Sequence, residues 1–252
     1  MKQTDELYQF YEAAIIEGSL RSGTRLPAER ELAQRFNLSR TSVREVLQRL
    51  KAKDWIVSKR GGGHYVSAQL QQDLAEPMLK ILSNNPDAHF DLLEFRHSIE
   101  GDCAYNAALR ANTLDLDALS ESYRHLEKVY RANDIEAQAE ADAAFHLAIA
   151  EASHNLIFLH LMKSLFSVLR SNMLSSIVSM FDNDISRQAL MSQHSAIYDA
   201  IIHRQPSTAK EAAHKHIRYV EELLQNLARE QHRQERSERR HNKRPNKSHN
   251  KD

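Results

Sequence analysis

The stretch Glu29-Arg30-Glu31-Leu32-Ala33-Gln34-Arg35-Phe36-Asn37-Leu38-Ser39-Arg40-Thr41-Ser42-Val43-Arg44-Glu45-Val46-Leu47-Gln48-Arg49-Leu50 decides how the first part of this 252-residue chain folds. Residues Glu29 to Phe36 make a short amphipathic helix with Leu32, Ala33 and Phe36 on one face, and Asn37-Leu38 breaks it. Ser39 can cap a second helix running to about Lys53, with Val43, Val46, Leu47 and Leu50 as its buried stripe. Arg40, Thr41, Arg44, Glu45, Gln48 and Arg49 are left towards solvent. Two short helices across a tight turn, the second with a basic polar face, predict a helix-turn-helix.

The residues that follow extend this pattern. Trp55-Ile56-Val57-Ser58 and His64-Tyr65-Val66 read as two short strands joined through Lys59-Arg60-Gly61-Gly62-Gly63. A basic hairpin with a triple-glycine tip suits a wing, because backbone without side chains can approach the floor of a narrow groove. Residues 25 to 60 hold ten basic and four acidic side chains, the charge that a phosphate backbone attracts. Arginines on such a face can grip guanine edges in bidentate fashion, whereas serine and threonine hydroxyls more often hold phosphates.

The whole chain hides this polarity, since 34 Lys and Arg balance 34 Asp and Glu. By segment the charge is +4 over residues 1 to 70, −9 over 71 to 228 and +5 over 229 to 252. The lone cysteine, Cys103, cannot form an internal disulfide, which excludes a disulfide-stapled secreted scaffold. No apolar run approaches the roughly 20 residues that span a bilayer, and acids stand where a signal peptide would be apolar. The expectation is a cytoplasmic protein with no membrane partner.

Five of six glycines fall in the first 63 residues and the last is Gly101, so the remainder should be almost wholly helical. Apolar periodicity predicts helices near 88 to 111, 115 to 132, 134 to 153, 155 to 180, 184 to 203 and 207 to 230, after a linking helix near 71 to 83. Breaks are expected at Asn84-Asn85-Pro86, Asn112-Thr113, Asn133-Asp134, His154-Asn155, Asp182-Asn183-Asp184 and Pro206-Ser207. The fold class is therefore mainly α, with an N-terminal winged helix-turn-helix domain (1–70) and a linking helix and loop (71–87). An antiparallel bundle of six to seven helices (88–230) and a basic tail, disordered beyond about residue 236 (231–252), complete it. The tail is either a solubilising segment or an added attraction for nucleic acid.

Four side chains in the bundle stand out. Asp142 and His146 share a helical face at i and i+4, beside Phe145 and Ile149. His194 falls in the stripe Leu190, Met191, Ile197, Tyr198 and Ile201, and His216 aligns with Ala213, Val220, Leu223 and Leu227, while His214 is expected to point outward. One carboxylate and three imidazoles on inward faces suit a divalent metal, zinc first, with nickel or manganese as alternatives. Burying such groups without a partner would be costly. Four protein ligands on a six-coordinate metal leave two positions, which a small oxo- or hydroxy-acid can fill through a carboxylate oxygen and its neighbouring oxygen. Arg96 is a candidate second anchor for that carboxylate, or else a structural partner of Glu100 at i+4.

Leu26-Pro27-Ala28-Glu29-Arg30-Glu31-Leu32-Ala33, Leu38 to Leu47 and Gly61-Gly62-Gly63-His64-Tyr65-Val66 resemble the winged helix of GntR-family transcription regulators. That resemblance implies contact with double-stranded operator DNA by Arg30, Arg40, Thr41, Ser42 and Arg44, with Gly62 in the wing, and the hydroxyl of Ser39 is a further candidate for holding a phosphate. Residues 88 to 228 resemble the all-helical effector domain of the family's FadR-type branch. There the Asp142, His146, His194 and His216 pattern implies a metal in a central cavity that takes part in binding a small carboxylate effector. The runs Asp91 to Gly101, Ala104 to Arg110, Glu151 to Asn155 and Glu235 to Arg240 are similar to those of the branch's repressors of pyruvate dehydrogenase complex genes. The full Asp/His set is similar to that of its lactate-responsive regulators. The implied protein is a homodimeric, non-enzymatic repressor of central metabolism genes released from DNA by pyruvate, or alternatively by lactate or another hydroxy-acid. A rival class, a metal-dependent enzyme in an all-helical fold, lacks HExxH and a carboxylate placed as general base. A constitutive architectural DNA binder would leave the inward histidines unexplained.

Overall fold

The structure, a computed structural model, describes residues 3–20, 22–59, 62–67, 69–85, 87–132, 134–166, 168–171 and 184–242. The chain divides into two compact units, Met1–Lys80 with His160–Leu165, and Ile81–Leu159 with Phe166–Asp252.

The first unit opens with a helix that the sequence reading omits, α1 (Gln3–Ile16). Leu7, Tyr11 and Ile15 recur every four residues, and with Tyr8 they bury one face of α1 against the following helices. Next come α2 (Glu29–Arg35) and α3 (Arg40–Ala52). Asn37 sits between them at φ 51, a left-handed conformation that asparagine tolerates better than most residues. Ser39 caps α3 as expected, its Oγ accepting the Ser42 backbone N–H at 3.1 Å. Of the predicted inward residues, Leu32, Val43, Val46, Leu47 and Leu50 are buried, and Ala33 and Phe36 pack against them partly buried. Strands β1 (Ile56–Ser58) and β2 (His64–Val66) pair antiparallel, with Ile56 opposite Val66 and Ser58 opposite His64. Gly62 and Gly63 take φ 92 and 105 at the hairpin tip, where the chain must reverse. Arg60 and Gly61 lie outside the described residues.

A linking helix, α4, covers Gln69–Asn84. The second unit holds α5 (Ala88–Arg110), α6 (Thr113–Ala132), α7 (Ile135–Ala152), α9 (Asp184–Ile202), α10 (Pro206–Asn242) and the start of α8 (Leu156–Ser164), whose residues from His160 on fall in the first unit. The predicted breaks act through side chains. Asn112 and Asp115 each accept the other's backbone N–H, Asp134 accepts from Ala137, and Asn155 accepts from Ile157 and Phe158. Pro86, Asn133, Asp182 and Asn183 lie outside the described residues, as does 172–180 of the helix expected over 155 to 180. Without glycine after residue 101, the chain reverses at His154 and Arg204, which take φ 50 and 57.

Alanines set the spacing of the bundle. Ala139, Ala143 and Ala150 on α7 and Ala104, Ala107 and Ala108 on α5 are buried, letting these helices approach closely and aim longer side chains between them. α5 also packs along α10. Gly101 is required there, because a Cβ at this position would run into the His214 imidazole. His214 is accordingly half-buried and stacks on His97 with ring centroids 4.0 Å apart, a correction to the outward position expected for it. The tail also differs from expectation. Residues 231–242 continue α10 as helix instead of fraying from about 236, with Arg239 and Glu235 paired at i and i+4. Residues 243–252 lie outside the described residues.

An exposed basic face and a buried histidine centre

On the first unit, α3 presents Arg40, Thr41 and Arg44 to solvent, with Ser39 and Arg30 exposed beside them and Ser42 partly covered. Ser39 and Ser42 hydroxyls lie 2.9 Å apart at the start of α3, where the helix dipole favours an anion. Arg44 is 63% exposed and donates through Nε to Glu29 on α2 at 2.9 Å. Such an exposed pair is worth about 0–1 kcal/mol and is readily exchanged for another anion. Arg49 faces solvent as expected, 52% exposed, and it also bonds Asp5 at 3.2 Å and lies 4.4 Å above the Tyr8 ring, which fastens α3 to α1. Gly62 is exposed at the wing tip, and Lys59 stacks over Tyr65 at 4.6 Å.

The second unit gathers Asp142 and His146 from α7, His194 from α9 and His216 from α10 in its interior. None of the four is more than 6% exposed. The three imidazoles each offer a nitrogen within 4.8 Å of the others. The ring centroids are 5.5 Å apart for His146 and His194, 5.2 Å for His146 and His216, and 4.4 Å for His194 and His216. Asp142 Oδ1 lies 2.7 Å from His194 Nε2 and 3.9 Å from His146 Nε2.

Proximity is not the same as satisfaction. Asp142 Oδ1, His146 Nε2 and both His194 ring nitrogens have no aligned hydrogen-bond partner among the described residues, although all are sealed from solvent. Native interiors rarely leave polar atoms so. Lone pairs converging on a common point are what a divalent cation satisfies, and an N3O donor set suits zinc, nickel or manganese. The residues therefore fit a metal ion.

The surrounding residues orient these donors. His146 Nδ1 is 2.7 Å from Glu100 Oε2, while Arg96 Nε donates to Glu100 Oε1 at 2.6 Å. His216 Nδ1 lies 3.3 Å from Gln193 Oε1, so a protonated Nδ1 donates outward and leaves Nε2 facing the centre. Phe145 packs edge-on against His146 and His194. Burial pushes the Asp142 carboxyl up, but the His194 and His146 rings, with Arg96 behind them, outweigh it and bring it down to about 2. Burial likewise opposes ionisation of Glu100, and Arg96 and His146 overcome it, holding Glu100 well below the usual carboxylate range. His216 is held well below its ordinary value by burial first, then by His194, His146 and Arg96. It is thus a neutral imidazole, the form that ligates metal.

Arg96 stands where the two sequence readings of it meet. It pairs with Glu100 in the interior, yet its Nη2 is buried without a hydrogen-bond partner. The sequence reading treats Glu100 only as Arg96's partner and passes over Gln193. Glu100's position at i−46 from His146 carries no local signal, and only the packing of α5 on α7 brings them together.

Both parts of the chain match known proteins. Residues 3–66 match the bacterial regulatory proteins of the gntR family, and residues 91–219 match the FCD domain. The chain is 33% identical over 234 residues to the "Putative L-lactate dehydrogenase operon regulatory protein" of Escherichia coli (strain K12), covering 91% of this chain and 89% of the relative. It is 30% identical to the Glc operon transcriptional activator of the same organism, covering 88% of each chain. It is 31% identical to the HTH-type transcriptional regulator LutR of Bacillus subtilis (strain 168), covering 83% of this chain and 95% of the relative. A solved structure, Streptococcus agalactiae GntR, shares the fold with a TM-score of 0.55 at 22% identity, over 86% of this chain and 98% of that one.

The chain belongs to the GntR family, in the FadR-type branch that carries a C-terminal FCD domain. It is a metabolite-responsive transcription regulator and not an enzyme, a conclusion that rests on this membership. No helix among the described residues is long and apolar enough to cross a membrane.

Proposed function

We propose that the protein is a cytoplasmic, homodimeric operator-binding regulator whose buried centre holds a divalent metal, zinc by preference, and through it a small 2-hydroxy- or 2-oxo-acid. The observation that carries this reading is the convergence of Asp142, His146, His194 and His216 with polar atoms left unsatisfied in a sealed interior. A metal held there would supply open coordination positions for a carboxylate oxygen and its neighbouring oxygen. Arg96 is the second anchor, since its unpartnered Nη2 can donate to the same carboxylate while Nε stays on Glu100.

Arg30, Arg40 and Arg44 read or grip the duplex, Ser39, Thr41 and Ser42 hold phosphates, and Gly62 carries the wing into the minor groove. Effector binding weakens operator binding by favouring a state of the dimer whose winged helices no longer match both half-sites. Self-association is supported by the exposed Leu109, Leu114, Leu156 and Ile157. All four lie at the same end of the bundle, where Arg110 bonds the Ser153 carbonyl.

L-lactate is the effector favoured by the complete Asp/His set and by the name of the lactate-operon relative. A second reading has pyruvate as effector and pyruvate dehydrogenase complex genes as target. It is favoured by the Asp91–Gly101 and Ala104–Arg110 runs. A gel shift on the protein's own upstream DNA, titrated separately with L-lactate, pyruvate and glycolate, separates them. Release by lactate supports the first and release by pyruvate alone supports the second. Release by none of the three removes the small-acid reading altogether.

A further inference from the structure

The distal part of α10 carries a charge pattern that the winged helix does not explain. At 3.6 residues per turn, Arg229, His232, Arg233, Arg236, Arg239 and Arg240 fall within an arc of about 120°. Glu230, Glu235 and Glu238 lie outside that arc. All six basic side chains are exposed, and five of them line a surface concavity of about 430 Å³. Arg229 to Arg240 extends for about 16 Å along the helix axis. Glu235 approaches this face, at 3.7 Å from Arg239 and 3.8 Å from His232. Arg236 and Arg240 turn their Nε groups to backbone carbonyls one turn back, and Arg240 Nη2 donates to Ser237 Oγ at 3.3 Å, while both side chains stay exposed.

The pattern also says what does not bind here. Residues 229–242 contain no apolar side chain, so the helix has no seam for a coiled coil and no face to sink into a bilayer. An extended row of arginines without apolar support is complementary to a regularly spaced row of anions, and a nucleic-acid backbone is the polyanion that a regulator meets.

We propose that the arginine face of α10 is a second DNA-contact surface, which grips duplex phosphates without regard to sequence. The inference rests on the protein being a DNA-binding regulator. It adds a contact outside the winged helix, within a domain whose other residues, 71 to 228, are net acidic.

The test measures binding of the full-length protein to operator and to non-operator duplex between about 50 and 200 mM salt, where each phosphate contact adds roughly 0.9 to the slope of log K against log salt. The triple variant Arg233→Gln, Arg236→Gln, Arg240→Gln should flatten the slope by about 2.7 per chain, so its deficit in non-operator binding should be about 40-fold larger at about 50 mM than at about 200 mM salt. The ratio of operator to non-operator affinity should stay as it was. Glu230→Gln with Glu238→Gln, on the other faces of the helix, should not weaken binding. Circular dichroism and mass in solution confirm that the triple variant remains folded and assembled.

An unchanged slope in a folded triple variant overturns the proposal, and so does a change confined to oligomeric mass or to binding of anionic phosphatidylserine vesicles. A wild-type protein that binds neither duplex would instead overturn the regulator reading on which the inference rests.

Discussion

The two units hide and show their chemistry in opposite ways. In the first, the candidate residues are exposed, local in sequence and held by backbone geometry: Ser39 caps α3, and that cap fixes where Arg40, Thr41 and Arg44 emerge. In the second, the candidate residues are buried, come from three helices and are held by one another. An exposed arginine needs no partner to be stable, so its presence on a helix face costs the fold little. A buried carboxylate among three imidazoles does need one, so burial makes this cluster a candidate site in a way that exposure does not make the arginines one. The difference sets the scale of what substitutions should do, because losses in the second unit fall on the whole centre and losses in the first fall on one contact.

The largest effect is expected for His194→Ala. It removes the side chain nearest to Asp142 and opens the donor set, so bound metal should fall to a small fraction of one per chain and the effector response should vanish. Elemental analysis of the purified protein checks the first and a gel shift the second. A full complement of metal in this variant would erase the contrast between the units.

Glu100→Gln comes next. The carboxylate orients His146 and neutralises Arg96, and loss of such an outer partner commonly lowers metal affinity about 10- to 100-fold. Competition against a chelator of known affinity measures it. The same variant leaves Arg96 buried without its counter-charge, and breaking a buried pair from one side costs about 3–5 kcal/mol. Chemical denaturation of the metal-free protein should therefore show a lower midpoint. If stability falls while metal affinity is unchanged, Glu100 serves packing alone.

What could be read in the sequence divides along the same line. The helix-turn-helix was legible because its signals are short-range: a break at Asn37, a cap at Ser39 and a stripe at Val43, Val46, Leu47 and Leu50. Helices of the second unit were legible through their caps at Asn112, Asp134 and Asn155. The set Asp142, His146, His194 and His216 could be proposed because each lies in an apolar stripe. Glu100 and Gln193 could not, since neither is marked by its neighbours and both gain a role only through helix packing. α1 was missed although Leu7, Tyr11 and Ile15 carry a clear period. The helix at 231–242 was missed because charged residues without apolar spacing read as tail, whereas pairs one turn apart sustain a helix without a core.

The smallest of these effects belongs to the exposed face. Arg44 is tied to Glu29 by an ion pair worth about 0–1 kcal/mol, so Arg44→Ala should leave the denaturation midpoint nearly unchanged. The same side chain, moved to a guanine edge, would supply about 1–3 kcal/mol of discrimination. Operator preference over a site changed at one base pair should thus fall by about 5- to 150-fold, since each 1.4 kcal/mol is a factor of ten. Binding to non-operator DNA should drop far less. Competition gel shifts with matched and mismatched duplexes read the ratio directly. An equal loss on both duplexes would make Arg44 a phosphate contact, and retained preference would move base reading to Arg40 or Arg30. Either outcome would sharpen the contrast with the buried centre. There, one substitution dismantles a site. On the exposed face, it re-weights a set of contacts that remain able to bind.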